Sequence, residues 1–454
     1  MIRTLLFEHA LLPGGWTRNV RIAVEGGAIR SVQEDADAEG AERRAGIAVP
    51  GLPNLHCHAF QRAMAGLAER RGPASDSFWT WRDLMYRFLA QLAPDDVEAI
   101  AAFAYMEMLE AGFTTVTEFH YLHHDPSGRP YADLAEMAGR IAAAAATGGI
   151  GLTLLPSLYM TGGFGGAPPT SGQQRFVNDV DRFLKLLARS QEIVADLPDA
   201  RVGIAPHSLR AVPPMALAEV VAARKEGPIH IHAAEQVKEV EDCVGALGAR
   251  PVQWLLDNAD VGPRWCLIHA THMTPMETAA LARSGAVAGL CPLTEASLGD
   301  GIFDGARHLA AGGYFGVGTD CNIQIDAAAE LRQLEYGQRL SLRARNVLTV
   351  REGESVGRRL FETALAGGAQ ACARPVGAIE VGRRADIVLL DADHPDLAVG
   401  QGDHWLDAWI FVAGRAAVRE VLIGGEPVVV EGRHRGREAI TRRYAATVKR
   451  LLAA

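Results

Sequence analysis

Cysteine is scarce in this chain of 454 residues. Its six cysteines are scattered, and no two lie close together in the sequence: Cys57, Cys243, Cys266, Cys291, Cys321 and Cys372. This spacing argues against a disulfide framework and against a cysteine-rich zinc module. We therefore expect a protein of a reducing compartment, and any metal site must be built from other side chains.

Excess positive charge and long apolar runs are also missing. The formal net charge is -9, so no positive field favours nucleic acid or an anionic membrane, and we expect neither as a partner. No apolar run reaches about 18 residues, and the first residues lack the basic-then-apolar pattern of an export signal. We expect a cytoplasmic protein that binds any anionic small molecule through individual arginines.

The composition is that of a globular protein, with 48% apolar and 22% charged residues. In the middle of the chain, predicted helices, one of them near residues 173–197, alternate with short apolar runs at 114–118, 202–205, 229–232, 266–269, 287–290 and 315–319. This alternation favours a parallel sheet closed into a (β/α)8 barrel, which we place at residues 49–374. Residues 1–48 and 375–454 have short strands with glycine turns, and we expect them to form one small β-sandwich domain.

The strongest local signal is the pair His56 and His58 at the end of an apolar stretch. Side chains two residues apart leave the same face of a strand, so both imidazoles can bind one ion. His232, His269 and Asp320 each end a further predicted strand, and the carboxyl ends of barrel strands meet at one mouth. Nitrogen ligands plus one carboxylate suit zinc, with iron or manganese as alternatives.

Glu235 follows His232 by three residues and has no place in that ligand set. A carboxylate there can take a proton from a metal-activated water and pass it to a leaving nitrogen. The alternative is a carboxylate that only stabilises the positive end of a helix dipole. We expect Glu235 to act as the proton shuttle.

These residues, together with the run Gly377-x-Ile379-x-x-Gly382-x-x-Ala385-Asp386, resemble the amidohydrolase superfamily over nearly the whole chain. The resemblance implies a (β/α)8 barrel whose two flanking segments form a β-sandwich. Residues 202–210 offer no lysine to bridge two metals, so the resemblance is to the one-metal deaminases. It implies one divalent ion, Zn²⁺ or alternatively Fe²⁺, held by His56, His58, His232 and Asp320. It further implies that His269 orients the attacking water and that Asp320 also accepts a proton.

Within the superfamily the chain resembles deaminases that hydrolyse the formimino group of N-formimino-L-glutamate in histidine breakdown. The matching stretches are residues 54–62, 78–82, 118–121, 205–210 and 334–340. The resemblance implies that a substrate with two carboxylates is bound by Gln61, Arg82, Tyr121, His207 and Arg210, and that the protein forms a homodimer. It is imperfect after Asp320, where a serine commonly follows and this chain has Cys321 and Asn322.

Other interpretations of these residues remain open. Arg82 could stack on the aromatic run at 78–81, Arg210 could pair with a surface acid, and Gln61, Tyr121 and His207 could be packed barrel residues. A one-metal aminohydrolase of guanine or a related heterocycle is the nearest alternative function. A two-metal hydrolase of a cyclic amide is a second, and a scaffold without activity is disfavoured because no ligand is missing.

Overall fold

The computed structural model describes residues 2–71 and 76–453 of the chain. Its strands are β1 Arg3–Leu12, β2 Gly15–Glu25, β3 Ala28–Gln33, β4 Glu42–Pro50, β5 Leu52–Cys57, β6 Phe113–His120, β7 Gly151–Leu158, β8 Arg201–Val202, β9 Ala205–Pro206, β10 Ile229–Ala233, β11 Trp265–His269, β12 Val287–Leu290, β13 Tyr314–Val317, β14 Ile387–Leu390, β15 Val418–Ile423, β16 Glu426–Val430 and β17 Arg433–His434.

Helices α1 to α12 follow barrel strands in the sequence, whereas α13 and α14 follow strands of the terminal sheet. They are α1 Phe78–Leu89, α2 Pro94–Glu110, α3 Glu136–Gly148, α4 Val180–Val194, α5 Pro214–Ala223, α6 Val237–Leu247, α7 Pro251–Asn258, α8 Pro275–Ser284, α9 Pro292–Leu298, α10 Gly305–Ala310, α11 Ala327–Leu342, α12 Val356–Cys372, α13 Asp403–Ala408 and α14 Arg437–Ala453. Helices α8 and α9 begin with proline, which has no N–H group to satisfy there, and end at a glycine in the left-handed conformation.

Strands from both ends of the chain pair in one sheet. Within the described residues its order is β17-β16-β15-β14-β4-β1-β2-β3, so strands β14 to β17 join the N-terminal strands through the antiparallel pair β14 and β4. A separate apolar cluster that includes Leu5, Phe7, Ile22 and Ile387 lies against this sheet. The two termini therefore build one small β-domain, as the sequence predicts. The domain boundaries at 48/49 and 374/375 stay a prediction.

The middle of the chain is a barrel of parallel strands. Strands β5 to β8 form one run and β10 to β13 another, with β9 paired to β7. Bridges from Ile204 to Ile229 and from Cys57 to Asp320 join the two runs. The second junction is made by two backbone hydrogen bonds, His58 N–H to Asp320 O and Asp320 N–H to His56 O, both 3.0 Å. The (β/α)8 prediction is thus confirmed, and its closure brings residue 320 against residues 56–58.

Gly318 permits this close approach of β13 to β5. A Cβ atom on Gly318 would lie 2.6 Å from the backbone oxygen of His56 and 2.8 Å from its nitrogen. We expect Gly318→Ala to lower the free energy of unfolding by about 1–3 kcal/mol, because two backbones must separate. Chemical denaturation measures this. Gly245→Ala within α6 is the control, since its added Cβ meets nothing within 4 Å and should not destabilise. Equal stability of Gly318→Ala and the unmodified protein would contradict this reading of the barrel closure.

Some sequence expectations differ from the structure in extent. The helix expected near residues 173–197 is present only as α4, Val180–Val194. Asp179 caps its first turn by accepting a hydrogen bond from the Arg182 N–H, and the side chain of Gln173 instead bonds Tyr159. In the part of the chain that the structure describes, no helix is both long enough and apolar enough to cross a bilayer.

Candidate active site

Five side chains that the sequence singles out converge at the barrel mouth, where the carboxyl ends of the strands meet. Nε2 of His56 and Nε2 of His58 each lie 3.3 Å from Oδ1 of Asp320. His232, at the end of β10, places its Nε2 3.2 Å from Nε2 of His56. His269, at the end of β11, has its Nε2 3.8 Å from Oδ2 of Asp320. All five residues are buried.

Three of these imidazoles are neutral and present free nitrogen atoms to one point. Burial lowers the pKa of His56 to about 3 and also lowers the pKa values of His58 and His232. Nδ1–H of His58 donates to Phe119 O at 2.8 Å, and Nδ1–H of His232 donates to His207 O at 3.0 Å. These bonds leave the Nε2 lone pairs free. The close approach of two such nitrogens, with a carboxylate beside them, fits a divalent cation.

His269 differs from the other histidines because carboxylates surround it. Its Nδ1–H donates to Oε1 of Glu295 at 3.2 Å, and its Nε2 lies 3.7 Å from Oε1 of Glu235. Burial alone would lower the pKa of His269, but Glu235, Glu295 and Asp320 together raise it above its ordinary value. This imidazole can therefore hold a proton beside the cluster.

Glu235 lies opposite His269 and is almost fully buried. Burial raises the pKa of its carboxyl to about 7, and Asp320 and Glu239 add to the rise while His269 opposes it. A group with such a pKa can both accept and donate a proton near neutral pH.

Glu239 fixes the backbone that presents Glu235. Its two oxygens accept hydrogen bonds from the backbone N–H groups of Ala234, at 3.2 Å, and Glu235, at 2.9 Å. Ala234 has φ +54°, and His269 and Asp320 also have positive φ, at +67° and +42°. Strained backbone of this kind persists only where the surroundings impose it, and it is common at active sites.

A small cavity of about 50 Å³ lies above the cluster. All five residues that the sequence assigns to the substrate line it, next to His58, His232, Glu235, His269 and Asp320: Gln61, Arg82, Tyr121, His207 and Arg210. The structure therefore brings every sequence-predicted site residue to one place.

Arg82 and Arg210 form no ion pair in the part of the chain that the structure describes, although Glu239 and Glu235 lie near enough to Arg210 to raise its pKa. None of the ion pairs within residues 2–71 and 76–453 includes either residue, and the buried Nε atom of each lacks a hydrogen-bond partner. Their guanidinium carbons instead lie 4.6 Å and 5.9 Å from the centroid of the Trp79 ring. The stacking that the sequence leaves open as an alternative for Arg82 is thus present, but it leaves the N–H groups of both arginines free for an anion.

The remaining cavity residues offer polar atoms of both kinds. Nε2 of Gln61 donates to the Tyr121 hydroxyl at 2.8 Å, and the hydroxyl points to Sδ of Met85 at 3.2 Å. Oε1 of Gln61 is buried and has no partner. It is therefore an acceptor available to a ligand N–H. His207 contributes its ring, with Nδ1 3.2 Å from Oγ of Ser208.

Five further histidines are His120, His123, His124, His230 and His272, and four of them bond to the backbone. His123, His124, His230 and His272 each place Nε2 against a carbonyl oxygen, of Ser157, Val177, Ala371 and Asp300 respectively. His120 is buried with neither ring nitrogen bonded within the described residues. None of the five lines the cavity.

Sequence reasoning missed the residues that hold the site in place. Glu239 and Glu295 carry no signal in the sequence that marks them as part of the site. Asn322, which departs from the family pattern, donates from Nδ2 to His58 O at 3.1 Å and to Asp320 O at 2.9 Å. It therefore ties both ligand segments together. Cys321 has its Sγ 3.2 Å from Oγ1 of Thr294, away from the substrate residues.

Comparison with known proteins adds two family matches. The amidohydrolase family matches residues 47–428, and the family described as formimidoylglutamate deiminase HutF, N-terminal domain, matches residues 5–46. The formimidoylglutamate deiminase of Pseudomonas aeruginosa is 53% identical over 449 residues, 98% of each chain. A 5-methylthioadenosine/S-adenosylhomocysteine deaminase of Natronomonas pharaonis is 31% identical and covers 87% of this chain and 83% of its own.

Solved structures show the same architecture. The crystal structure of an amidohydrolase from Brucella melitensis has a TM-score of 0.95 and 52% identity, and covers 99% of this chain and 100% of its own. A zinc-bound adenosine deaminase from Xanthomonas campestris has a TM-score of 0.82 at 22% identity, covering 99% of this chain and 98% of its own. The second likeness shows the fold alone.

Proposed function

The chain belongs to the amidohydrolase family and, within it, to the formimidoylglutamate deiminases, and from that premise we propose its reaction. It is a metal-dependent hydrolase that converts N-formimino-L-glutamate and water into N-formyl-L-glutamate and ammonia, a step of histidine breakdown. The 53% identity to the Pseudomonas aeruginosa enzyme over nearly the whole chain supports this assignment.

The observation that supports a substrate with two carboxylates is that Arg82 and Arg210 line the cavity and form no ion pair within the described residues. Arg210 is only 8% exposed, and a buried guanidinium without a partner is costly unless a ligand supplies one. The substrate has two carboxylates, each able to accept a fork of charge-assisted hydrogen bonds. An uncharged purine would leave both guanidinium groups unpaired, which disfavours guanine as the substrate.

The metal site of this proposal consists of His56, His58, His232 and Asp320. Three imidazole nitrogens and one carboxylate oxygen suit Zn²⁺, and Fe²⁺ is the alternative. When bound, the ion lowers the pKa of a water toward neutrality and so supplies a nucleophile for the formimino carbon.

The protein's own groups move the protons. His269, held by Glu295, orients the attacking water, and Asp320 accepts one of its protons. Glu235 takes up the other proton of the water and transfers it to the departing nitrogen, which suits a carboxyl whose pKa is about 7. The C–N bond to the terminal nitrogen then breaks, ammonia leaves and the carbon keeps the new oxygen as a formyl group.

The cavity residues act by positioning rather than by chemistry. Arg82 and Arg210 bind the two carboxylates of the substrate, and Tyr121 and His207 make further polar contacts with it. Gln61 has an unpaired Oε1 atom that can accept a hydrogen bond from the formimino N–H. Holding the reacting carbon in place can supply up to about 7–11 kcal/mol of the barrier reduction.

We further propose that the protein is a cytoplasmic homodimer. All six cysteines are free and buried, which suits a reducing compartment. The dimer rests on the family resemblance.

The direct test of this function is product analysis with purified zinc-loaded protein. We expect ammonia and N-formyl-L-glutamate in equal amounts from N-formimino-L-glutamate, and no ammonia from guanine. Deamination of guanine without turnover of the formimino compound would overturn the proposal. N-Formimino-L-aspartate, shorter by one methylene, tests how closely the cavity measures the distance between the two acid groups.

Glu295 offers a separate test of how His269 is held. We expect Glu295→Leu to lower kcat about 10- to 100-fold with KM nearly unchanged, because the imidazole loses the partner that fixes its orientation while the cavity keeps its lining. Glu295→Gln, which keeps an acceptor oxygen, should lose less. Steady-state kinetics separates the two constants. A rise in KM at unchanged kcat would show that Glu295 does not act through His269.

A further inference from the structure

Trp79 contacts two of the proposed substrate residues, although it neither belongs to the ligand set nor lines the cavity. It lies in the first turn of α1, one turn before Arg82. Arg210 comes from the far side of the cavity, after β9. Both guanidinium carbons lie within 6 Å of the Trp79 ring centroid, at 4.6 and 5.9 Å. That is the range in which a cation is attracted to the face of an aromatic ring.

Stacking on an aromatic ring leaves the hydrogen-bond donors of an arginine free. A guanidinium that lies over an aromatic ring is held by its face, and its N–H donors, all in the plane of the group, stay free. Neither Arg82 nor Arg210 takes part in an ion pair within the described residues, so the Trp79 ring is a contact that orients both. Glu239 and Glu235 act on the charge of Arg210 from a distance, and the indole adds negative π density to both guanidinium groups.

We propose that Trp79 is a positioning residue that sets the two arginines for a dicarboxylate. This inference rests on the proposed function and adds the element that determines the selectivity for a doubly charged substrate. Tyr86, whose ring lies 5.5 Å from the Arg82 guanidinium carbon, adds a second aromatic contact on the Arg82 side only. Trp79 is therefore the ring that the two arginines share.

The test compares three variants of the zinc-loaded protein. Trp79→Phe keeps an aromatic face, Trp79→Leu removes it, and Trp254→Leu is the matched control. Trp254 lies in α7 and is also partly buried, but it does not line the cavity. Two quantities are measured for each: the Kd of glutarate, a dicarboxylate without a formimino group, by calorimetry, and KM and kcat with N-formimino-L-glutamate.

We expect Trp79→Leu to raise the Kd of glutarate and the KM about tenfold, with a smaller change in kcat, because two cation–π contacts are lost. Trp79→Phe should restore most of the affinity, and Trp254→Leu should leave the Kd of glutarate nearly unchanged. Equal losses of affinity in Trp79→Phe and Trp79→Leu would overturn the proposal, since they would show that the size of the indole, and not an aromatic face, determines the affinity. An unchanged Kd of glutarate in Trp79→Leu would also overturn it.

A replacement variant and a binding measurement without turnover ensure that the experiment decides the role of Trp79. If Trp79→Leu does not fold, Trp79→Met replaces it, because methionine also lacks the aromatic face and is more flexible. Glutarate binding is measured without turnover, so a protein that binds glutarate but does not hydrolyse N-formimino-L-glutamate contradicts the proposed function alone. In that case the Kd series still decides the role of Trp79.

Discussion

Glu235→Gln should lower kcat about 1,000-fold, in the middle of the range found for the loss of a general acid or base. Glutamine has nearly the same shape but cannot take up or release a proton, so ammonia cannot leave at a useful rate. The four proposed ligands are untouched, and metal content should stay at one ion per chain. Steady-state kinetics and metal analysis on the same preparation measure both quantities.

The matched control for this variant is Glu241→Gln. Glu241 lies on the exposed surface of α6, four residues before the control glycine Gly245. The same chemical change there should leave kcat and metal content as in the unmodified protein. Near-normal turnover of Glu235→Gln would remove Glu235 from the proton transfer, and loss of metal in that variant would mean that it acts through the ligand set instead.

Arg210→Met should raise KM about 100-fold while kcat changes much less. A guanidinium that binds a carboxylate of the substrate contributes equally before and during the reaction, so its loss appears in KM. Two charge-assisted hydrogen bonds at about 1.5–3 kcal/mol each exceed a 100-fold effect, and part of this is offset because methionine removes a buried unpaired charge. Initial rates over a wide range of substrate concentration give both constants.

A second substrate shows which carboxylate Arg210 binds. N-Formimino-L-glutamine keeps the α-carboxylate but replaces the side-chain carboxylate with an amide. If Arg210 binds the side-chain group, the loss caused by Arg210→Met shrinks with this substrate; if it binds the α-carboxylate, the loss is the same. Arg442→Met, on the exposed face of α14, is the control. An unchanged KM in Arg210→Met would show that the arginine does not bind the substrate.

The barrel and the chemical groups at its mouth are predictable from the sequence for a simple reason. Alternating helices and apolar runs permit few closed arrangements, and a barrel brings every strand end to one mouth. His56, His58, His232, His269 and Asp320 each end an apolar run, so their convergence follows from the fold. Glu235 follows from its spacing to His232.

The residues that hold the catalytic and substrate-binding side chains in place are not predictable in this way. Glu295 and Glu239 act because of the direction their side chains take from α9 and α6, which depends on how these helices pack against the strands. Trp79 stacks on Arg210, a partner far away in the sequence, and no local pattern marks that contact. The helix expected from residue 173 begins only at Val180, because tertiary hydrogen bonds of Gln173 compete with helix formation.

The central claim is that one ion at the barrel mouth faces a dicarboxylate that Arg82 and Arg210 hold in place. A crystal structure of the zinc-loaded protein with a guanidino-glutarate analogue of the substrate tests it most directly. We expect one ion bonded to His56, His58, His232 and Asp320. We also expect the acid groups of the analogue to bind the two guanidinium groups. An ion bonded elsewhere, or an analogue whose acid groups contact neither arginine, would contradict it.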